Sequence, residues 1–158
     1  MGKKTWKPYV WGILFVKAVG ALSGWLSRDG MKLYTETVSQ PPLSPPPILF
    51  PIVWGILYAL MGISAARIYL SPPSPARSRG LNLFVLQLVL NFFWSLIFFN
   101  AQAFLFAFFW LLLLWLLVLG MILVFKQIDP LAGWLQIPYL LWLTFAAYLN
   151  LSVWYLNR

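Results

Sequence analysis

Five runs of about twenty mostly apolar residues dominate this chain: Tyr9–Leu26, Ile48–Leu70, Leu81–Asn100, Ala103–Phe125 and Leu131–Leu156. Each is long enough to cross the hydrocarbon core of a bilayer as a helix. With no water there to pair with backbone amides, a spanning segment must satisfy them within itself, as a helix does. The runs predict an all-α membrane protein, a single domain over residues 1–158 built as a bundle of five transmembrane helices. Composition agrees, with 62% hydrophobic and 9% charged residues, against roughly 45–50% and about 25% in soluble domains.

The first run has features of a signal peptide, because Lys3, Lys4 and Lys7 precede it and Ala21-Leu22-Ser23 resembles a cleavage site. Its apolar character continues through Trp25 and Leu26, which favours a retained helix. The connectors follow. Residues 27–47 form the longest, ending in a proline-dense passage expected to be extended. Ser71–Gly80 reads as a basic linker, Asn100-Ala101-Gln102 as a tight turn, and Lys126–Asp129 with Pro130 as the last break; Pro138 is expected to kink the fifth span.

Basic residues mark the ends of the runs. Lys3, Lys4, Lys7, Arg67, Arg77, Arg79 and Lys126 fall on one side of a five-span topology, and Arg28, Lys32 and Arg158 on the other. The bias predicts a multi-pass protein of the cell membrane with a cytoplasmic N-terminus and an external C-terminus. The net charge of +8, clustered beside apolar runs, suits anionic lipid headgroups of the bilayer and not nucleic acid.

Cysteine and histidine are absent, which removes thiolate nucleophiles, the usual zinc sites, Ser-His-Asp triads and common haem ligands. The three acids, Asp29, Glu36 and Asp129, all lie outside the runs, so no carboxylate pair or intramembrane proton relay is visible. The expectation is a protein without metal or resident cofactor and without ordinary acid–base catalysis.

Polar and aromatic residues inside the runs carry the information. Gln87, Asn91 and Ser95 recur every four residues with Trp94 beside them, which places them on one helix face. They read equally as interhelical hydrogen bonding or as the lining of a ligand cavity. Trp54, Tyr58, Met61 and Ala65 form a second stripe, and Tyr139, Trp142, Ala146 and Asn150 a third. Trp54, Trp94 and Trp142 stand beside small or polar residues on these stripes, where indoles offer stacking faces to a flat guest. Trp6, Trp25 and Trp154 fit the interfacial belts.

Lys17, near the middle of the first run, either snorkels toward an interface or pairs with an anionic ligand group. Gly20 and Gly24 form a small-xxx-small pair that hints at close helix packing. Val153, Tyr155 and Arg158 fit the loose pattern proposed for sterol contact.

Several of these residues together resemble a known family. Gln40-Pro41-Pro42-Leu43-Ser44-Pro45-Pro46, followed by Phe50, Val53-Trp54, Tyr58 and Met61-Gly62, is similar to the proline-rich loop and second helix of the tryptophan-rich sensory protein/translocator (TspO/MBR) family. Gln87, Leu90-Asn91, Trp94 and Phe98-Phe99 continue the match, then Ala132-Gly133, Pro138-Tyr139, Trp142, Thr144, Ala146 and Leu149-Asn150. The family's loop usually has Lys where Gln40 stands and Trp where Leu43 stands, and a Trp-Tyr pair where this chain has Tyr34-Thr35.

The resemblance implies a five-helix fold, often a homodimer, that binds porphyrins (tetrapyrroles) and benzodiazepine-type ligands beneath the first loop. It implies Trp54, Asn91 and Trp142 as pocket residues, with Tyr58, Trp94, Ala146 and Asn150 close behind, and a sterol-type segment at the tail. Function then reads as a membrane receptor for a tetrapyrrole of the protoporphyrin type, held by stacking and a few hydrogen bonds. Light-dependent degradation of that ligand is a further expectation, with Trp54 and Trp142 as electron donors to the excited ring. Transport of porphyrin or another amphiphile is the alternative.

Overall fold

The computed structural model describes residues 6–158, so Lys3 and Lys4 lie outside the described residues. The described residues are all-α, with five helical segments among them long and apolar enough to cross a membrane. The first is α1 (Trp6–Leu26), followed by the short α2 (Arg28–Thr37), and the second span is α3 (Leu49–Tyr69). The third, α4 (Pro75–Ser95), closes in a π-helical turn over Leu96–Asn100, and α5 (Phe104–Ile128) is the fourth. A break divides the last span into α6 (Pro130–Trp134) and α7 (Ile137–Asn157).

Several boundaries depart from the sequence expectation, among them the end of α5, which runs through Lys126 to Ile128 where a break is expected. The first connector, 27–47, contains a helix, because α2 occupies Arg28–Thr37, while its proline-dense end is non-helical as expected. The ten residues of α2 are too few to register against twenty-residue apolar runs. The third span begins at Pro75, six residues before Leu81, so Arg77 and Arg79 lie on its first turns and not in a linker. Ser74 explains this start: its hydroxyl accepts the Arg77 N–H (3.0 Å) as an N-cap, with Pro75 at the first helical position. In the fifth span the interruption falls at Leu135–Gln136, and Pro138 lies in the first turn of α7. Proline needs no N–H partner there, so it opens a helix instead of bending one.

The outer surface is apolar, with Trp11, Phe15, Ile56, Val85, Phe109, Leu116 and Leu141 among its exposed side chains. The core holds Met61, Ile68, Leu111, Leu114, Val118, Met121, Phe125 and Leu143 from α3, α5 and α7. The close α1–α3 approach is at Gly12 and Gly62, not at Gly20 and Gly24. A Cβ on Gly12 would sit 2.7 Å from the Gly62 carbonyl oxygen, whereas one on Gly24 would meet nothing within 4 Å. Gly20 serves a different purpose, making room for the Tyr58 ring.

Polar groups tie the spans at both ends. The Arg67 guanidinium donates to Asp129 (2.6 Å), and the Asp129 carboxylate also accepts from Leu131 N–H to cap α6. Ser64 Oγ donates to the Ala132 carbonyl (2.7 Å). At the other end Asn100 Nδ2 donates to the Leu26 carbonyl (2.9 Å), capping α1 with the π-helical turn. The α1 helix packs on α4 through Ser23 Oγ, which donates to the Phe92 carbonyl (2.8 Å).

Candidate ligand cavity

Between α1, α3, α4, α5 and α7, beneath α2 and the proline loop, lies a cavity of about 560 Å³. That is the size of small-molecule and cofactor sites, which are mostly apolar with a few placed polar groups. All seven residues predicted for a pocket line it: Trp54, Tyr58, Asn91, Trp94, Trp142, Ala146 and Asn150. They come from three helices far apart in sequence. The tail residues do not join them. Val153 is buried against Phe98 and Phe104, whereas Tyr155 is exposed, with the Arg158 guanidinium over its ring at 4.3 Å.

Two aromatic walls face the space. On the α3/α7 side, Trp54 stands edge-on to Trp142 (ring centroids 6.4 Å, 88°) and leans on Tyr58 (5.3 Å), while Phe50 meets Trp142 at 5.9 Å. On the α4 side, Trp94 stacks on Phe98 (4.9 Å, 22°), and Phe99 stands edge-on to it at 5.9 Å. The π-helical turn after Ser95 contributes both of these phenylalanines, and such turns often occur at functional sites.

The indoles differ in one respect. Trp94 Nε1 donates to Asn150 Oδ1 (3.0 Å), and Asn150 Nδ2 donates to the Phe104 carbonyl (2.8 Å). This pair forms a wall whose polar groups are already spent. Trp54 and Trp142 make no side-chain hydrogen bond among the described residues, and their indole N–H groups are not buried away. They remain available to a guest.

The four-residue spacing of the α4 stripe resolves into two roles. Asn91 Nδ2 donates to the Tyr139 hydroxyl (2.8 Å), which donates to Gln87 Oε1 (2.7 Å). Gln87 and Tyr139 are shut away behind the wall, while Asn91 and Ser95 reach the cavity. Gln87 is therefore interhelical and Asn91 is both interhelical and lining. With its amide nitrogen engaged, Asn91 presents Oδ1 as an acceptor. Sequence reasoning placed Tyr139 on its stripe but not in the site. Its role as the positioner of Asn91 depends on a contact across 48 residues that no local pattern reveals.

A lid covers this arrangement. Tyr34 of α2 packs on Phe98 and Phe99 (5.4 and 5.3 Å), and burial pushes its phenol up to about 12. Gly30 lets α2 lie directly on the π-helical turn, where a Cβ would overlap Asn100 Oδ1 and stand 2.7 Å from the Phe99 carbonyl. Gln40, Pro45 and Pro47 of the loop complete the ceiling. The loop is held by Asn157, whose side chain accepts from Ser39 N–H (2.9 Å) and donates to the Ser39 carbonyl (2.8 Å).

Comparison with known proteins places this chain in a family. A model of the TspO/MBR family matches residues 12–156. The chain belongs to the TspO/MBR family. This TspO/MBR chain is 38% identical over 123 residues, 77% of each chain, to the Rhodobacter capsulatus protein named protein CrtK. It is 35% identical over 141 residues, 89% of each chain, to the tryptophan-rich protein TspO of Chlorobaculum tepidum. The human translocator protein is 31% identical over 153 residues, 94% of this chain and 89% of its own. Five apolar spans and this membership make it an integral membrane protein.

Proposed function

We propose that this chain is a membrane receptor that binds a planar tetrapyrrole of the protoporphyrin type within the helix bundle. The observation that carries the reading is the cavity itself. It is bounded by aromatic faces on two sides, with two available indole N–H donors and an amide acceptor on the lining residue Asn91. Flat apolar rings gain most from offset or edge contacts with such walls. Asn91 Oδ1 suits a pyrrole N–H, and Trp54 and Trp142 suit acceptors at the ring edge.

The test is a protoporphyrin titration of the full chain in detergent, read by tryptophan fluorescence. Wild type should be quenched at micromolar ligand, and Trp142→Ala should weaken binding about tenfold, the worth of a stacking face and a hydrogen bond. Absence of quenching in wild type would overturn the reading.

The contiguous cluster of Trp54, Tyr58, Tyr139 and Trp142, with centroids 5.3 to 6.4 Å apart, favours a second activity at the same site. An indole here is placed to give one electron to a light-excited macrocycle; the reduced ring adds dioxygen and the adduct returns one electron to the indole radical cation, so that ring and dioxygen combine and the indole is restored. Illuminated samples with and without oxygen should then lose porphyrin at different rates, and Trp54→Phe with Trp142→Phe should slow the loss. Equal loss in the double variant would remove the indoles from the chemistry. The bundle is taken to lie in the cell membrane with Lys7, Arg67, Arg77 and Lys126 at the cytoplasmic face.

A further inference from the structure

Among the described residues, Lys17 is the one charged side chain lining the cavity, and no acid accompanies it. Its helix α1 is 21 residues long, which places Lys17 roughly 16 Å from one end and about 14 Å from the other at 1.5 Å per residue. It does not run along the helix toward either interface. Lys17 Nζ crosses to α3 and donates to the Gly55 carbonyl oxygen at 2.9 Å.

That contact satisfies little of the ammonium's demand. The Gly55 carbonyl lies within α3, where the helical ladder already uses it. An ammonium has three donors, and no second acceptor for Lys17 is found among the described residues. A cation in hydrocarbon without a partner is costly and is ordinarily paired or functional. The surroundings leave an approach to it. Gly20 and Ala21, one turn along α1, line the cavity beside Lys17, and so does Gly55. A Cβ on Gly55 would meet only Nζ within 4 Å, at 3.8 Å, so space stands open beside the ammonium on the α3 side, while the face of Gly20 is filled by the Tyr58 ring.

We infer that Lys17 is the anion-recognition residue of this cavity and selects planar ligands that carry a carboxylate at their edge. The macrocycle lies against the aromatic walls, and its carboxylate meets Nζ in the seam between α1 and α3. This rests on the tetrapyrrole reading above and names the feature of the ligand that the site distinguishes.

The experiment compares protoporphyrin free acid with its dimethyl ester, titrated by fluorescence quenching into wild type, Lys17→Met and Lys17→Arg in the same detergent. Wild type should prefer the acid. Lys17→Met should weaken the acid about tenfold or more, as expected for one charge-assisted hydrogen bond, while ester binding changes less than twofold. Lys17→Arg should keep most of the preference. An acid-to-ester ratio in Lys17→Met equal to that of wild type would overturn the inference while leaving the receptor intact. So would a wild-type ratio of one, which needs no variant at all. Wild type binding neither compound would bring down the tetrapyrrole reading and this inference with it.

Discussion

At the scale of single residues, the cavity separates side chains whose polar groups hold the bundle from those whose polar groups stay unspent. Trp94 and Trp142 make the contrast measurable. Trp94→Phe strands the buried Asn150 Oδ1 and should cost about 1–3 kcal/mol of stability, seen as a lower Tm in detergent. Trp142→Phe breaks no hydrogen bond and should leave Tm within a degree or two while weakening porphyrin binding. Tyr139→Phe should resemble Trp94→Phe in stability, since it leaves Asn91 Nδ2 and Gln87 Oε1 without their shared phenol. It should also lower affinity by releasing Asn91, and a Tm and titration pair on one sample checks both. The residue types of this site were legible in sequence because apolar surroundings make each amide and indole conspicuous. Their division of labour was not, since whether an indole N–H is spent depends on a partner 56 residues away.

Helices show the same pattern of what a sequence does and does not disclose. The long spans follow from the need to satisfy backbone groups in lipid, and their apolar lengths announce them. α2 escapes that logic, because it is short, polar and held by its docking on the π-helical turn. Tyr34 reports on that docking. Its folded pKa of about 12 lies above the ordinary 10.0, so the stabilising effect of the half-buried phenol is complete below pH 10. It is lost as pH rises through 12, where the folded lid must also give up the proton. Tyrosine-labelled NMR spectra, assigned with Tyr34→Phe, should show this phenol titrating late and α2 loosening over the same range. The seam between α1 and α3 carries a steric prediction. A Cβ at Gly62 would stand 2.5 Å from the Ile13 backbone, so Gly62→Ala should force the helices apart at a cost of about 1–3 kcal/mol. Gly24→Ala, with open space around it, should be neutral in the same thermal melt.

For the whole molecule, the two ends of the bundle have different characters. One is locked by Arg67, Asp129 and Ser64 against α6. The Arg67–Asp129 pair is partly exposed, with 33% and 19% of its side chains accessible. Asp129→Asn is therefore expected to cost only about 1 kcal/mol and to leave the cavity unchanged. The other end carries the lid, fixed at Gly30 by packing and at Ser39 by the Asn157 side chain. Asn157→Ala should free residues 39–47, raising their hydrogen exchange and speeding ligand release several-fold with little change in Tm.

The Ser39–Asn157 clasp also joins the lid to the last turn of a membrane-spanning helix. Such a helix adjusts its tilt to the thickness of the lipid around it. A change of tilt in α7 would carry Asn157 with it and pull on the loop above the cavity. Ligand residence time measured in nanodiscs of increasing acyl-chain length should thus vary in the wild type and level out in Asn157→Ala, making the lid a gauge of the bilayer it stands in.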